Sequence, residues 1–183
     1  VVGFLFYSFP VIWPYLISEL GMTESQLGMV SAFYFIPVAI LAIIIGRALD
    51  KYSVKNFMMI GAIIYATGLF SLSFINSYWS LLTIYLTILA LGSIMMGNLA
   101  VAKLISNWFD KNAGRALGIA AVGISFSGVV LPLVVDPLLD LVGWRNVYVI
   151  FASIVLFIIL PLIFFTVIDL SLIHISEPTR PGH

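Results

Sequence analysis

The sequence predicts an all-α membrane protein with six transmembrane helices. Of its 183 residues, 62% are hydrophobic and 9% are charged, whereas a soluble domain carries roughly 25% charged residues. The charged residues leave five charge-free runs, which are residues 1–18, 25–46, 56–102, 116–135 and 146–168. The runs do not alternate apolar and polar residues as a membrane β-strand does, so helices are expected.

The lengths of these runs assign the helices in order. A helix needs about 20 residues to cross the roughly 30 Å hydrocarbon core, so four runs correspond to one crossing each. The run 56–102 is long enough for two crossings at about 1.5 Å per residue, and the polar turn Asn76-Ser77-Tyr78-Trp79 divides it. The predicted helices are residues 1–18, 26–47, 56–75, 79–104, 115–136 and 147–168, within one domain of residues 1–169.

The basic residues predict the orientation. Six of them flank the second and fourth connections: Arg47, Lys51, Lys55, Lys103, Lys111 and Arg115. The opposite side has Arg145 alone. Because basic residues concentrate in cytoplasmic loops, these two connections are expected in the cytoplasm, with the chain crossing the cell (inner) membrane several times.

The composition argues against several other chemistries. The net charge is zero, so no nucleic-acid partner is expected. There is no cysteine, and both histidines, His174 and His183, lie near the end of the chain, so no metal site and no cofactor are expected. Gly123-Ile124-Ser125 superficially resembles the serine of an intramembrane protease. The first 173 residues contain no histidine to activate it, so an enzyme is not expected.

Both ends of the chain indicate a fragment. Val1 lies inside an apolar run, so we expect the first helix to be cut. Residues 170–180 read Leu-Ser-Leu-Ile-His-Ile-Ser-Glu-Pro-Thr-Arg. This segment resembles a translated sequencing-library adapter, so residues 170–183 are expected to be a non-native tail and are left out of the functional argument.

The second connection carries a recognisable motif, Gly46-Arg47-Ala48-Leu49-Asp50-Lys51-Tyr52-Ser53-Val54-Lys55. It resembles the loop 2–3 signature of the major facilitator superfamily, with Ser53 where the family usually has glycine and Val54 where a basic residue is common. The resemblance implies that this loop gates the cytoplasmic side between the two halves of a transporter. The candidate gating residues are Gly46, Arg47, Asp50, Lys51 and Lys55.

The fourth connection, residues 107–118, begins Asn-Trp-Phe-Asp-Lys and continues through Gly114-Arg115. Together with Gly143-Trp144-Arg145 it resembles the monocarboxylate-porter and oxalate/formate-antiporter branch of that superfamily, although Gly114-Arg115 inverts the usual order. Asp110, Lys111 and Arg115 are the candidate gating residues of this loop.

The resemblance implies the amino-terminal six-helix bundle, built of 3+3 inverted repeats, of a twelve-helix fold. The expected function is secondary active transport of a small solute by alternating access, coupled to protons or to exchange. An organic anion such as a monocarboxylate is the expected substrate, and the expected partners are the lipid bilayer and a missing carboxy-terminal half. The alternative is a self-contained six-helix carrier or channel subunit that dimerises.

A few polar side chains lie at membrane depth and are candidates for the substrate pathway: Tyr7, Tyr34, Asn98, Ser125 and Ser127. Each has the alternative role of a hydrogen bond between helices. Asp136, near the outer end of the fifth helix, is the candidate coupling carboxylate, because ionisable groups in membrane segments are functional candidates by default.

Overall fold

A computed structural model describes residues 2–109 and 112–167, and this part of the chain is all-helical. Its helices are, in order, α1 (Val2–Leu20), α2 (Glu24–Leu49), α3 (Val54–Leu72), α4 (Tyr78–Ile84), α5 (Ala90–Met96), α6 (Asn98–Trp108), α7 (Ala113–Ile154) and α8 (Leu160–Thr166). The π-helical turns Tyr85–Leu89 and Val155–Ile159 join α4 to α5 and α7 to α8 without interruption.

Four stretches of the described residues are long and apolar enough to cross a membrane. They are Glu24–Leu49, Val54–Leu72, Tyr78–Trp108 and Ala113–Thr166. The predicted all-helical architecture is therefore confirmed, while the count of six crossings stays a prediction. α1, with 19 residues, is not one of the four.

Short polar turns separate the first four helical stretches, and side chains cap the helices that follow. Gly21 has a φ of +63° after the end of α1. Thr23 then forms a capping box with Gln26, in which each side chain accepts a hydrogen bond from the other residue's backbone N–H. Ser77 does the same with Ser80 at the start of α4. The polar turn at Asn76-Ser77 thus begins a helix.

The connection expected between residues 136 and 147 is much shorter in the structure. α7 continues through Pro137, and its one non-helical residue is Gly143, at φ 76° and ψ 158°. Proline is tolerated inside membrane helices because other groups satisfy the freed carbonyl. Glycine, which has no Cβ, adopts the positive φ at low cost. The change of direction is therefore confined to one residue, which divides α7 into the arms 113–142 and 144–154.

The stretch predicted as one helix over residues 79–104 is irregular at two places. The first is the π-helical turn Tyr85–Leu89, and the second is Gly97, whose ψ of −155° ends α5 and precedes α6. Gly97 is the N-cap residue of α6, and no side chain forms a capping hydrogen bond there. The backbone N–H groups of the first turn of α6 are thus left without a side-chain cap.

The core is centred on α3, which packs against α5, α7 and both π-helical turns. A Cβ added at Gly92 of α5 would lie 2.6 Å from the backbone nitrogen of Tyr65 in α3. The two helices are therefore in backbone contact, as small residues allow in membranes. Large side chains fill the space around this contact, including the fully buried Tyr65, Tyr148 and Trp144.

Candidate functional site

The end of the bundle where α2 meets α3 carries an ion pair with α6. Lys103 Nζ lies 2.7 Å from Asp50 Oδ1, and the side chains are 35% and 66% exposed, respectively. Asp50 is the C-cap residue of α2, so the pair connects the 2–3 turn to the last helix before the fourth connection. An exposed pair of this kind contributes at most about 1 kcal/mol to stability.

Gly46 faces α6 at the same end, but its contact is not tight. A Cβ added there would lie 3.7 Å from Leu99 Cδ2, an ordinary van der Waals distance. The distance between Gly46 and α6 is therefore compatible with an alanine at this position as well.

Ser53 stands where the related loop signature has glycine, and the local geometry accounts for it. Its φ is −57°, so no left-handed residue is needed, and its Oγ accepts a hydrogen bond from the backbone N–H of Asn56 at the start of α3. Serine is a favoured residue at a helix N-cap. The departure from the signature therefore gives α3 an N-cap.

The other basic candidates of this loop differ in their surroundings. Lys55 Nζ lies 4.7 Å from the ring centroid of Phe164 in α8, within range of a cation–π interaction. Arg47 and Lys51 are exposed and have no ion pair among residues 2–109 and 112–167. Arg115 is exposed near the start of α7. Asp110 and Lys111 lie outside the described residues.

A cavity of about 560 Å³ lies between α1, α3, α6, α7 and α8. Asn98 and Ser127 supply polar side chains to its wall, which is otherwise built mainly from small and aliphatic residues such as Gly3, Ala120 and Ile163. The helix break at Gly97 also belongs to the wall. The structure thus brings together Asn98 and Ser127, two of the five pathway candidates.

The other three pathway candidates lie elsewhere. The ring of Tyr7 packs on Gly128, where an added Cβ would lie 2.9 Å from Tyr7 Cε1. Tyr34 is buried and its hydroxyl donates to Ser93 Oγ at 2.6 Å. Ser125 is exposed, with its Oγ 3.5 Å from the carbonyl oxygen of Ala121. Tyr7 and Tyr34 therefore make contacts between helices.

Two acidic residues lie near each other in the first arm of α7. Asp136 is exposed and has no hydrogen bond or ion pair within the described part of the chain. Asp140 accepts a hydrogen bond of 2.9 Å from the hydroxyl of Tyr15 in α1. Asp140 is therefore held by a neighbouring helix, whereas Asp136 has no such contact within the described residues.

A polar cluster at the opposite end of the bundle centres on Glu19. Its Oε2 accepts hydrogen bonds of 2.8 Å from both Trp144 Nε1 and the Arg145 guanidinium. The guanidinium also donates to the carbonyl of Ile75 at 3.3 Å and to Asn76 Oδ1 at 3.4 Å. The cluster therefore joins the end of α1, the 3–4 turn and the second arm of α7.

Comparison with known proteins decides the family. The family model of the Major Facilitator Superfamily matches residues 1–181. The chain belongs to the Major Facilitator Superfamily. This confirms the family indicated by the loop motifs and makes the protein a multi-pass membrane protein of a transporter family.

The relatives of this superfamily chain have diverse names. This chain is 26% identical over 140 residues to an MFS-type transporter of Ophiocordyceps sp. (strain BCC 1869). The match covers 76% of this chain and 31% of that protein. A probable hexose phosphate transport protein of Chlamydia trachomatis is 26% identical over 153 residues, or 79% of this chain and 33% of that protein. A riboflavin transporter of Saccharomyces cerevisiae is 25% identical over 112 residues, or 60% and 21%. The chain spans about a third of the first two.

Sequence reasoning about this superfamily chain missed two features of the candidate site. The sequence identifies Lys103 only as a basic residue near a loop, whereas the structure pairs it with Asp50. Glu19 and Trp144 were not candidates, although they meet at 2.8 Å. One signal was available for the second feature, since the predicted orientation places Arg145 alone among the basic residues on one side and Glu19 as an acidic residue on that same side.

Proposed function

We propose that this chain is the amino-terminal six-helix half of a twelve-helix secondary transporter. Transport would proceed by alternating access, with the solute held between this half and a second half that the chain lacks. The chain's span of about a third of its relatives' length supports this proposal. So does the cavity of about 560 Å³ beside a broken helix, since discontinuous helices line substrate sites in transporters.

The proposed six crossings account for the lengths of the helical stretches. Ala113–Thr166 has 54 residues, or about 80 Å at 1.5 Å per residue, more than twice the hydrocarbon thickness. The non-helical Gly143 divides it into two segments that are each long enough for one crossing. α1 supplies the remaining one. A 3+3 arrangement of inverted repeats follows from this count in the superfamily fold.

We propose a small organic anion as the solute. The broken helix supports this, because the first turn of α6 starts at the cavity wall with backbone N–H groups that no side chain caps. A helix N-terminus carries a partial positive charge that favours anions. No Lys or Arg lines the cavity within the described residues, so the other half would supply any full positive charge. Membership of the monocarboxylate or oxalate/formate branch stays a prediction, as does coupling to protons or to exchange.

The Asp50–Lys103 ion pair supports a gating role for the 2–3 loop, whereas the gating role of the 4–5 loop stays a prediction. Asp50 and Lys103 would hold the 2–3 turn against α6 while the cytoplasmic side is closed, with Gly46, Arg47, Lys51 and Lys55 in the same gating loop. In the 4–5 loop, the gating residues would be Asp110, Lys111 and Arg115. Asn98 and Ser127 would contact the solute. Tyr7, Tyr34 and Ser125 stay weaker candidates because they lie outside the cavity wall.

The test uses the full-length reading frame that contains this chain, purified and reconstituted in liposomes. Uptake of a panel of radiolabelled small carboxylates is measured with and without an imposed pH gradient. We expect uptake of at least one carboxylate, a raised KM in Asn98→Ala, and no change in the control Ser153→Ala, whose hydroxyl donates within its own helix. Uptake of neutral solutes but of no carboxylate would contradict the assignment of an anionic solute. An unchanged KM in Asn98→Ala would contradict the proposal that the cavity binds the solute.

A further inference from the structure

A second groove, lined almost entirely by apolar side chains, lies on the surface between α2, α3 and the α4–α5 stretch. Its volume is about 520 Å³. α2 contributes Pro37, Ile40 and Leu41, and the facing stretch contributes Leu86, Ile88 and Leu91. All of these positions lie in stretches that are apolar and long enough to cross a membrane. The groove is therefore at membrane depth, away from the cavity that holds Asn98 and Ser127.

Backbone irregularities on both walls accompany the groove. Pro37 stands inside α2, where a proline removes one helical hydrogen bond and bends the helix. The opposite wall carries the π-helical turn Tyr85–Leu89, which inserts one extra residue into the helix. Two neighbouring helices that both depart from straight geometry at the same level leave a concave surface between them.

The groove offers no polar side-chain group to an occupant. Thr87 is its one polar lining residue among those described, and the Thr87 hydroxyl donates to the carbonyl of Thr83 at 2.6 Å. Water finds no hydrogen-bond partner among these side chains, whereas an alkyl chain that binds there buries apolar surface area.

The C-terminal end of α2, beyond the groove, is basic. Arg47 lies ten residues after Pro37, or about 15 Å along the helix, which is about half of the roughly 30 Å hydrocarbon core. Arg47 and Lys51 are exposed and have no ion pair among residues 2–109 and 112–167. A phosphate at the membrane surface and an acyl chain running one leaflet deep match this spacing and this charge.

We propose that the groove binds one acyl chain of an anionic phospholipid whose phosphate lies at Arg47 and Lys51. The lipid fills the gap between α2 and α5 and thereby keeps the basic end of α2 at the membrane surface. This site is separate from the proposed solute cavity and does not depend on the identity of the solute.

The test counts phospholipids retained by the full-length protein. Protein from nanodiscs containing phosphatidylglycerol and phosphatidylcholine is moved into detergent, washed, and analysed by native mass spectrometry. Ile40→Trp fills the groove, and Ile43→Trp is the matched control, because Ile43 does not line it and both side chains are more than half exposed (58% and 63%). We expect one retained phosphatidylglycerol in the wild type and in Ile43→Trp, and at least about tenfold lower occupancy in Ile40→Trp.

A second pair of variants separates lipid loss from misfolding. Leu91→Trp fills the groove from the opposite wall and should also release the lipid, while circular dichroism and size-exclusion profiles stay those of the wild type. Arg47→Gln should lower the preference for phosphatidylglycerol over phosphatidylcholine by about fivefold, the value of roughly one basic residue at an anionic surface. A wild type that retains no lipid, or equal retention in Ile40→Trp and Ile43→Trp, would overturn the proposal. Both results are independent of whether any solute is transported.

Discussion

Glu19 and Arg145 form an ion pair of 2.8 Å across 126 residues of sequence. The same carboxylate oxygen accepts a hydrogen bond from the indole N–H of Trp144. Trp144 is only 1% exposed. One carboxylate at the end of α1 therefore satisfies a buried donor and an exposed cation on the second arm of α7. This contact holds the end of the bundle opposite to Asp50 and Lys103.

Replacing Glu19 should separate these two roles. Glu19→Ala leaves the buried Trp144 N–H without a partner, and we expect a loss of about 1–3 kcal/mol in the free energy of unfolding. Glu19→Gln keeps an acceptor for the indole and loses only the half-exposed ion pair, worth at most about 1 kcal/mol. Denaturation of the full-length protein in detergent measures both, and equal losses in the two variants would contradict the role of Trp144.

The Asp50–Lys103 pair predicts a kinetic effect with little effect on stability. Asp50→Ala should slow transport while membrane insertion stays normal, because an exposed pair contributes little to folding. Exchanging the charges in the double variant Asp50→Lys, Lys103→Asp should restore part of the rate. Transport at the wild-type rate in Asp50→Ala would refute the gating role. If the charge exchange restores no part of the rate, the slow transport of Asp50→Ala is not caused by loss of the ion pair.

The contact between α3 and α5 predicts a large difference between two glycine substitutions. Gly92→Ala places a methyl group 2.6 Å from the backbone of Tyr65, so we expect a destabilisation of about 1–3 kcal/mol, as for other overpacked cores. Gly118→Ala in the first arm of α7 meets no atom within 4 Å. It should be neutral or stabilise by up to about 1 kcal/mol. Thermal unfolding of both variants in the same detergent checks this, and similar melting temperatures would count against the close contact.

Asp136 and Asp140 allow the proposed coupling role to be tested on a matched pair. If Asp136 carries the transported proton, Asp136→Asn should abolish the dependence of uptake on external pH. Asp140→Asn removes a carboxylate held by Tyr15 and should leave that dependence in place. The measurement is the initial rate of uptake against external pH in liposomes. An unchanged pH profile in Asp136→Asn would remove this residue from the mechanism.

The sequence predicts the all-helical architecture because a charged residue inside the hydrocarbon core costs too much free energy. The gaps between charges therefore outline the helical stretches. Irregularities inside those stretches escape the same reasoning, since Gly97 and the π-helical turn Tyr85–Leu89 carry no charge and interrupt no apolar run. The fifth helix, predicted to end at residue 136, continues through Pro137 in the structure and changes direction at Gly143.

The candidate site is only partly predictable for a similar reason. The loop signature identifies Asp50 but not its partner, because Lys103 is 53 residues away and reaches it only through the packing of α6. Ser125 and Ser127 are equivalent by composition and depth. Only the rotation of α7 about its own axis, fixed by contacts such as Tyr7 with Gly128, places Ser127 in the cavity wall and leaves Ser125 outside it.

The most direct test of the account is the accessibility of Ser127 from the two sides of the membrane. The chain has no cysteine, so Ser127→Cys in a cysteine-free full-length protein gives a single thiol midway along the arm 113–142. Phe126→Cys is the control, since Phe126 lies outside the cavity wall and we expect its side chain, which is 66% exposed, to face lipid, where a thiol stays protonated and unreactive. Alternating access predicts that a membrane-impermeant thiol reagent labels Ser127→Cys in both right-side-out and inside-out vesicles, and labels Phe126→Cys in neither. Labelling of Ser127→Cys from one side only, with or without substrate, would contradict a transporter that carries its solute through this cavity.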